Sequence, residues 1–261
     1  MARLARGARR LSTVDPRQYV APVSVMSGRV VLITGAGEGI GRAVALAVAA
    51  HGGTVLLLGR TVRKLESVYD EIVAAGGATP GILPLDFERA GPDDYAAAAV
   101  AIGRNYGRLD GLLHNAAAFG GRTSIEHLSV PTWSRVLHVN LTAAMILTQS
   151  CLPWLKASPD ASIVFTTCDA GRQPRAYWGA YAVAKYACQG LMQVLADELS
   201  GIATIRANSI DPGKVRTRKR MEAFPGELTG ALPPADSIVE PYLFLLGPAS
   251  RGIRGQTIDA Q

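Results

Sequence analysis

Residues 177 to 185 read YWGAYAVAK, which places Tyr177, Tyr181 and Lys185 at successive four-residue intervals. On a helix that spacing stacks the three side chains on one face. A phenol ordinarily titrates near pH 10, and a fixed ammonium beside it favours the phenolate and lowers that value. A Tyr-Lys pair one turn apart can therefore exchange a proton with a substrate oxygen near neutral pH. Spacing alone does not separate this from an ordinary wet helix face, so the elements that would carry the pair must decide.

From Gly28 onward, apolar runs alternate with helix-like segments. RVVLIT, TVLLL, GILPL, LDGLLH, ASIVFT, ATIRANSI and QTIDA read as strands whose near-continuous apolar character suits a sheet buried on both faces. Between them lie Ala-rich stretches such as IGRAVALAVAAHGG and PDDYAAAAVAIGRNYG, the second opened by Pro92 and two acids. About six alternations predict an α/β fold, a doubly wound, Rossmann-like parallel sheet in one domain spanning 28–261. At 261 residues, 48% hydrophobic and 18% charged, the chain has ample apolar material for that core.

Ligands of such sheets sit beyond the carboxyl ends of the strands. The first strand runs into TGAGEGIG, where Gly35, Gly39 and Gly41 allow bare backbone and a helix N-terminus to approach a pyrophosphate. At the end of the second strand Arg60 stands where an NAD-binding protein often carries an acid. A guanidinium can grip a 2′-phosphate through two parallel charge-assisted bonds, which favours NADP(H) over NAD(H). Glu38, inside the glycine turn, opposes that preference by its charge.

Six signals in order make the chain resemble the short-chain dehydrogenase/reductase family over about residues 28 to 260. They are TGAGEGIG, Asp86, HNAA at 114–117, Asn140, YAVAK at 181–185 and DPGKVRT at 211–217. The stretch GRQPRAYWGAYAVAKYACQGLMQVLADEL is also similar to a bacterial subgroup of oxidoreductases. The resemblance selects Tyr181 as the acid; Tyr177 falls just outside the motif, in a loop lining the substrate pocket or, the simpler reading, as an aromatic packed beside Trp178. It implies that Lys185 assists Tyr181 and holds the nicotinamide ribose, and that Asn140 serves a proton relay. It further implies cofactor contacts from Gly35, Gly39, Ile40 and Gly41, from Asp86 and Asn115 at the adenosine, and from Pro212, Gly213, Val215 and Thr217 at the nicotinamide end. An NADP-dependent alcohol dehydrogenase or carbonyl reductase of small molecules follows, assembled as a homodimer or homotetramer. The alternative is a catalytically impaired dinucleotide-binding sensor or scaffold.

The sequence departs from the family pattern at His114 and Ala117, which replace the usual Asn and Gly, and at the serine position. Counting 13 residues back from Tyr181 reaches Cys168, a weak donor where a hydroxyl normally faces the substrate oxygen. In a regular strand Thr167 points to the opposite face, while Thr166 lies further down the same face. The run KVRTRKRMEAFPGELTGALPP, residues 214–234, reads as a lid that sets substrate choice, in which Arg216, Arg218, Lys219 and Arg220 either recognise an anionic substrate or, as charge runs usually are, stay solvated. His51, His127 and His138 lack partner spacing and read as surface or packing residues.

Five of the chain's basic residues fall in positions 1–27, against Asp15 alone, so most of the net charge of +6 lies outside the body. This speaks against a nucleic-acid surface. The segment 1–27 reads as a disordered extension, with Met26 placed where translation can also begin. Cys151, Cys168 and Cys188 are too few and too irregular for disulfides or a metal cage, pointing to a reducing, cytoplasmic setting and no metal. No apolar stretch is expected to reach the roughly 18 to 20 residues of a membrane span.

Overall fold

The computed structural model describes residues 15–202 and 204–261. In chain order the elements are β1 (Val30–Thr34), α1 (Gly39–Ala50), β2 (Thr54–Gly59), α2 (Val62–Ala74), β3 (Gly81–Pro84), α3 (Pro92–Tyr106) and β4 (Gly111–His114). There follow α4 (Val130–Leu137), α5 (Ala143–Lys156), β5 (Ala161–Thr166), α6 (Gly179–Glu198), β6 (Ile205–Asp211), α7 (Arg218–Ala223), α8 (Val239–Leu246) and β7 (Thr257–Asp259). All seven strands pair in parallel in the order β3-β2-β1-β4-β5-β6-β7. Strand order reverses between β1 and β4, the place where such a sheet opens a crevice.

Alternation along each strand divides the core in two. Val31, Ile33, Val55 and Leu57 face α1, α2 and α8, whereas Val30, Leu32, Leu56 and Leu58 face α3, α5 and α6. Burial on both sides is why these strands carry unbroken apolar runs. Helix α3 begins as its sequence suggests: the Asp94 carboxylate accepts the Gly91 N–H at 2.8 Å, and Gly107 ends the helix at φ 70°.

Two expectations are corrected. Residues 15–27 are packed rather than disordered: Met26 is fully buried, Tyr19 meets Phe244 edge-on at 5.2 Å, and the Ala21 N–H donates to Glu240 at 2.6 Å. Apolar surface on α8 gives this segment something to cover, a reason invisible in its own basic composition. Arg3, Arg6, Arg9 and Arg10 lie outside the described residues. Second, α4 and α5 run together into one helical stretch, Val130–Lys156, whose best 18-residue window has a mean hydropathy of 1.2, enough by length and composition to cross a membrane. Its Leu147, Cys151 and Leu155 are instead buried in the core against the sheet.

Where α4 meets α5 the helix widens into one π turn, His138–Thr142. Asn140 sits in that turn, 4% exposed, its amide donating to the carbonyls of Ala118 at 2.8 Å and Val136 at 2.7 Å. The extra residue thus ties α4 to the loop after β4.

Candidate active site

At the carboxyl ends of β1, β2, β4, β5 and β6 lies a cleft of about 990 Å³. Tyr181, Lys185, Cys168, Gly35, Gly39 and Ile40 line it, as do Arg60, Asp86 and Asn115. So do Pro212, Gly213, Val215 and Thr217. Gly41 and Asn140 stand behind its walls instead. A Cβ at Gly41 would lie 2.3 Å from the Gly35 carbonyl oxygen, so only glycine lets the turn close on itself. Gly35 and Gly39 have φ of 66° and 57°, in the left-handed region that glycine enters without strain. The N-cap residue of α1, Glu38, makes no capping bond to the helix, leaving first-turn N–H groups free to meet an anion.

Tyr181 and Lys185 project from the first two turns of α6, both buried. The Lys185 ammonium donates to the Thr166 carbonyl at 2.7 Å and sits 5.8 Å from the Tyr181 ring centroid. Burial, then the facing Cys168 thiol, push the Tyr181 pKa well above its ordinary value. The lowering expected from Lys185 is not found, because the ammonium is bonded to a carbonyl and stands over the ring. Buried in this way the phenol is protonated at neutral pH, the form that donates. Cys168 also sits above its ordinary pKa through burial, which outweighs Lys185 and the N–H groups of Gly171 and Ala170.

Thr167 and Thr166 diverge as the strand alternation requires. The Thr167 hydroxyl is buried without a partner, whereas Thr166 lies 3.4 Å from the Tyr242 hydroxyl and 3.5 Å from the Asn115 side chain. Neither hydroxyl takes over the position of Cys168. His114 is a core residue: it stacks on Phe165 at 4.7 Å and meets the Thr148 hydroxyl at 2.8 Å. Burial, with Lys185 adding to it, brings its pKa down to about 3. The Asn115 N–H donates to the Thr34 hydroxyl at 2.9 Å, so the histidine does not displace this loop from β1.

Tyr177 is not a packing aromatic. It is 63% exposed and holds φ 69°, a strained setting for a bulky residue, with its carbonyl accepting the Thr123 N–H at 3.1 Å. Phe119, Trp178 and Phe224 form the aromatic wall instead.

Glu38 does not face a cofactor phosphate unpaired. Its carboxylate accepts from Lys64 and, at 2.6 Å, from Arg218. Burial alone would raise its pKa, but these two cations carry it down to about 2. The lid bases are therefore largely engaged: Arg218 with Glu38, Arg220 with Glu227 at 2.5 Å, and Lys219 with the Ala117 carbonyl. Arg216 and Arg218 are exposed as expected, Arg218 while paired with Glu38. Arg60, with a side chain 58% exposed, reaches Glu88 at only 3.5 Å and stays available to a ligand.

A model of the short chain dehydrogenase family matches residues 29–228. The chain belongs to this family. It is 42% identical over 243 residues to the uncharacterized oxidoreductase YciK of Escherichia coli K12, covering 93% of this chain and 96% of that protein. A structure from Escherichia coli CFT073 in complex with NADPH is 42% identical, with a TM-score of 0.89 over 92% of this chain and 100% of that one. One from Shigella flexneri 2a in complex with NADP is 41% identical, also at 0.89 over 92% and 100%. The short-chain dehydrogenase cleft described above, with its glycine turn, uncapped helix and available Arg60, fits a dinucleotide.

Proposed function

We propose that this short-chain dehydrogenase is an NADP(H)-dependent oxidoreductase that interconverts a carbonyl compound and its alcohol. The observation that carries the reading is a buried Tyr181 beside Lys185 on the wall of the cleft that the glycine turn opens. NADPH, when bound, supplies the hydride that adds to the carbonyl carbon. Tyr181 gives its proton to the carbonyl oxygen, and Lys185 holds the nicotinamide ribose. Cys168 faces the same oxygen as a weak donor.

Gly35, Gly39, Ile40 and the free α1 N-terminus hold the pyrophosphate, with Gly41 closing the turn. Asp86 and Asn115 receive the adenosine, Arg60 the 2′-phosphate, and Pro212, Gly213, Val215 and Thr217 the nicotinamide end. Asn140 acts from the π turn on the proton relay. The NADP-bound and NADPH-bound relatives and the pairing of Glu38 support the choice of NADP(H) over NAD(H). Three free thiols suit a reducing, cytoplasmic setting.

The test is NADPH oxidation across a panel of ketones and aldehydes, with NADH alongside. Tyr181→Phe is expected to abolish turnover and to keep NADP⁺ affinity, because only the phenolic oxygen is lost. Tighter calorimetric binding of NAD⁺ than NADP⁺ refutes the cofactor choice. A second reading, a cofactor-binding sensor with little catalysis, is favoured by Cys168 alone. It predicts tight NADPH binding with no carbonyl reduced.

A further inference from the structure

Lys219 is a largely enclosed ammonium with no ion pair of its own among the described residues. Its hydrogen bond goes to the Ala117 carbonyl, and Glu222 and Glu38 act on its charge only from a distance, while its neighbours Arg218 and Arg220 each hold a carboxylate in contact. Burial, then the charge of Lys185, pull its pKa down to about 8, so it is still mostly charged at neutral pH. A cation withdrawn from water onto a single dipole is costly unless something negative joins it. Lys219 lines the same cleft as Tyr181.

One helical turn along α7, Ala223 packs into the cluster of Phe119 and Tyr181. Phe119 lies 5.4 Å from Tyr181 and 5.6 Å from Trp178, and Phe224 lies 5.5 Å from Trp178, ring centroid to centroid. Arginines brace this wall. Arg122 stacks on Trp178 at 4.8 Å and on Phe224 at 4.5 Å, and Arg220 covers Phe224 at 3.6 Å while gripped by Glu227. The lid helix therefore presents an aromatic, apolar compartment beside the acid and, a turn away, one cation held in no ion pair.

We propose that the substrate is a cyclic or aromatic carbonyl compound bearing a carboxylate, its ring held by Phe119, Trp178 and Phe224 and its carboxylate by Lys219. The inference rests on the reductase reading, with the carbonyl oxygen at Tyr181. Hydride from NADPH adds to the carbonyl carbon and the Tyr181 proton goes to the oxygen. The products are the hydroxy acid and NADP⁺, and the phenolate regains a proton from water. The carboxylate is unchanged throughout.

The test compares ligands that differ in charge at one position: acetylbenzoates against methylacetophenones, and oxocyclohexanecarboxylates against methylcyclohexanones. Each is titrated by calorimetry into the NADP⁺-loaded enzyme and assayed with NADPH. The acids are expected to win by at least about tenfold, and Lys219→Met to lower the acid-to-neutral ratio of both affinity and kcat/KM by a similar factor. Lys219→Arg should restore part of it, and Trp178→Ala should weaken acid and neutral ketone alike. Neutral ketones equal to or better than acids in the unaltered enzyme overturn the proposal. So does an equal loss on both ligands in Lys219→Met, or a matching loss of NADP⁺ affinity, which would assign Lys219 to the cofactor. Acids that bind through Lys219 with no NADPH oxidised keep the ligand class and overturn the reductase reading instead.

Discussion

Cys168 faces the Tyr181 hydroxyl from the end of β5 and is the chemically odd group in the cleft. A thiol donates weakly, and both nearby threonine hydroxyls point elsewhere. Losing one good donor to a developing oxyanion typically costs about 10² to 10³ in rate, so Cys168→Ser is expected to raise kcat on a simple ketone. Cys168→Ala provides the control in the same NADPH assay: if neither variant changes the rate, the position takes no part in turnover. Counting from Tyr181 located Cys168, and motif order located Lys185, because those residues are close in the chain and fixed by one strand and one helix. The pairing of Glu38 was not legible, since Lys64 and Arg218 come from 26 and 180 residues away. The aromatic wall escaped for a similar reason. Phe119, Trp178 and Phe224 share no spacing, and Tyr177, their neighbour in sequence, is turned outward by its positive φ.

The elements were easier to foresee than the joints between them. Strands buried on both faces cannot alternate polar and apolar residues, so β1, β2, β4 and β5 appeared as nearly continuous apolar runs, and all seven foreseen strands form. The π turn at 138–142 leaves no such trace, because one extra residue hardly disturbs a helical period. Its anchor is testable: Asn140→Ala strips donors from the Ala118 and Val136 carbonyls, and is expected to cost about 1 to 3 kcal/mol by urea denaturation. The turn after β1 tolerates even less. Gly41→Ala drives a Cβ into the Gly35 carbonyl and is expected to weaken NADP⁺ binding at least about tenfold by calorimetry, since the backbone must shift in the turn proposed to hold the pyrophosphate.

Across the whole molecule, charge is buried at the end of the sheet opposite the cleft. Asp160 takes Arg206 at 2.5 Å and Arg29 at 3.0 Å, and the Arg29 guanidinium also donates to the Asp110 carbonyl at 3.0 Å. Burial pushes the Asp160 pKa up, but Arg206 and Arg29 outweigh it and hold the carboxyl below its ordinary range. Its stabilising contribution is thus complete above the unfolded-state value near 4 and fades as pH falls through the lower folded value. Asp160→Asn leaves two buried guanidiniums uncompensated and is expected to cost about 3 to 5 kcal/mol, measured by urea denaturation at pH 7. Association is a separate expectation at this scale. Val183, Tyr186 and Val194 on α6 and Met145 on α5 are exposed, and a dimer or tetramer would cover them. A monomer by light scattering at micromolar concentration excludes that. The ion cluster and the cleft cap opposite ends of the same parallel strands, roughly 20 Å apart for six residues of extended chain. Changes that far apart add nearly independently. Heat tolerance can therefore drift through one rim of the sheet while the choice of substrate drifts through the other, and a lineage can retune either trait without reopening the other.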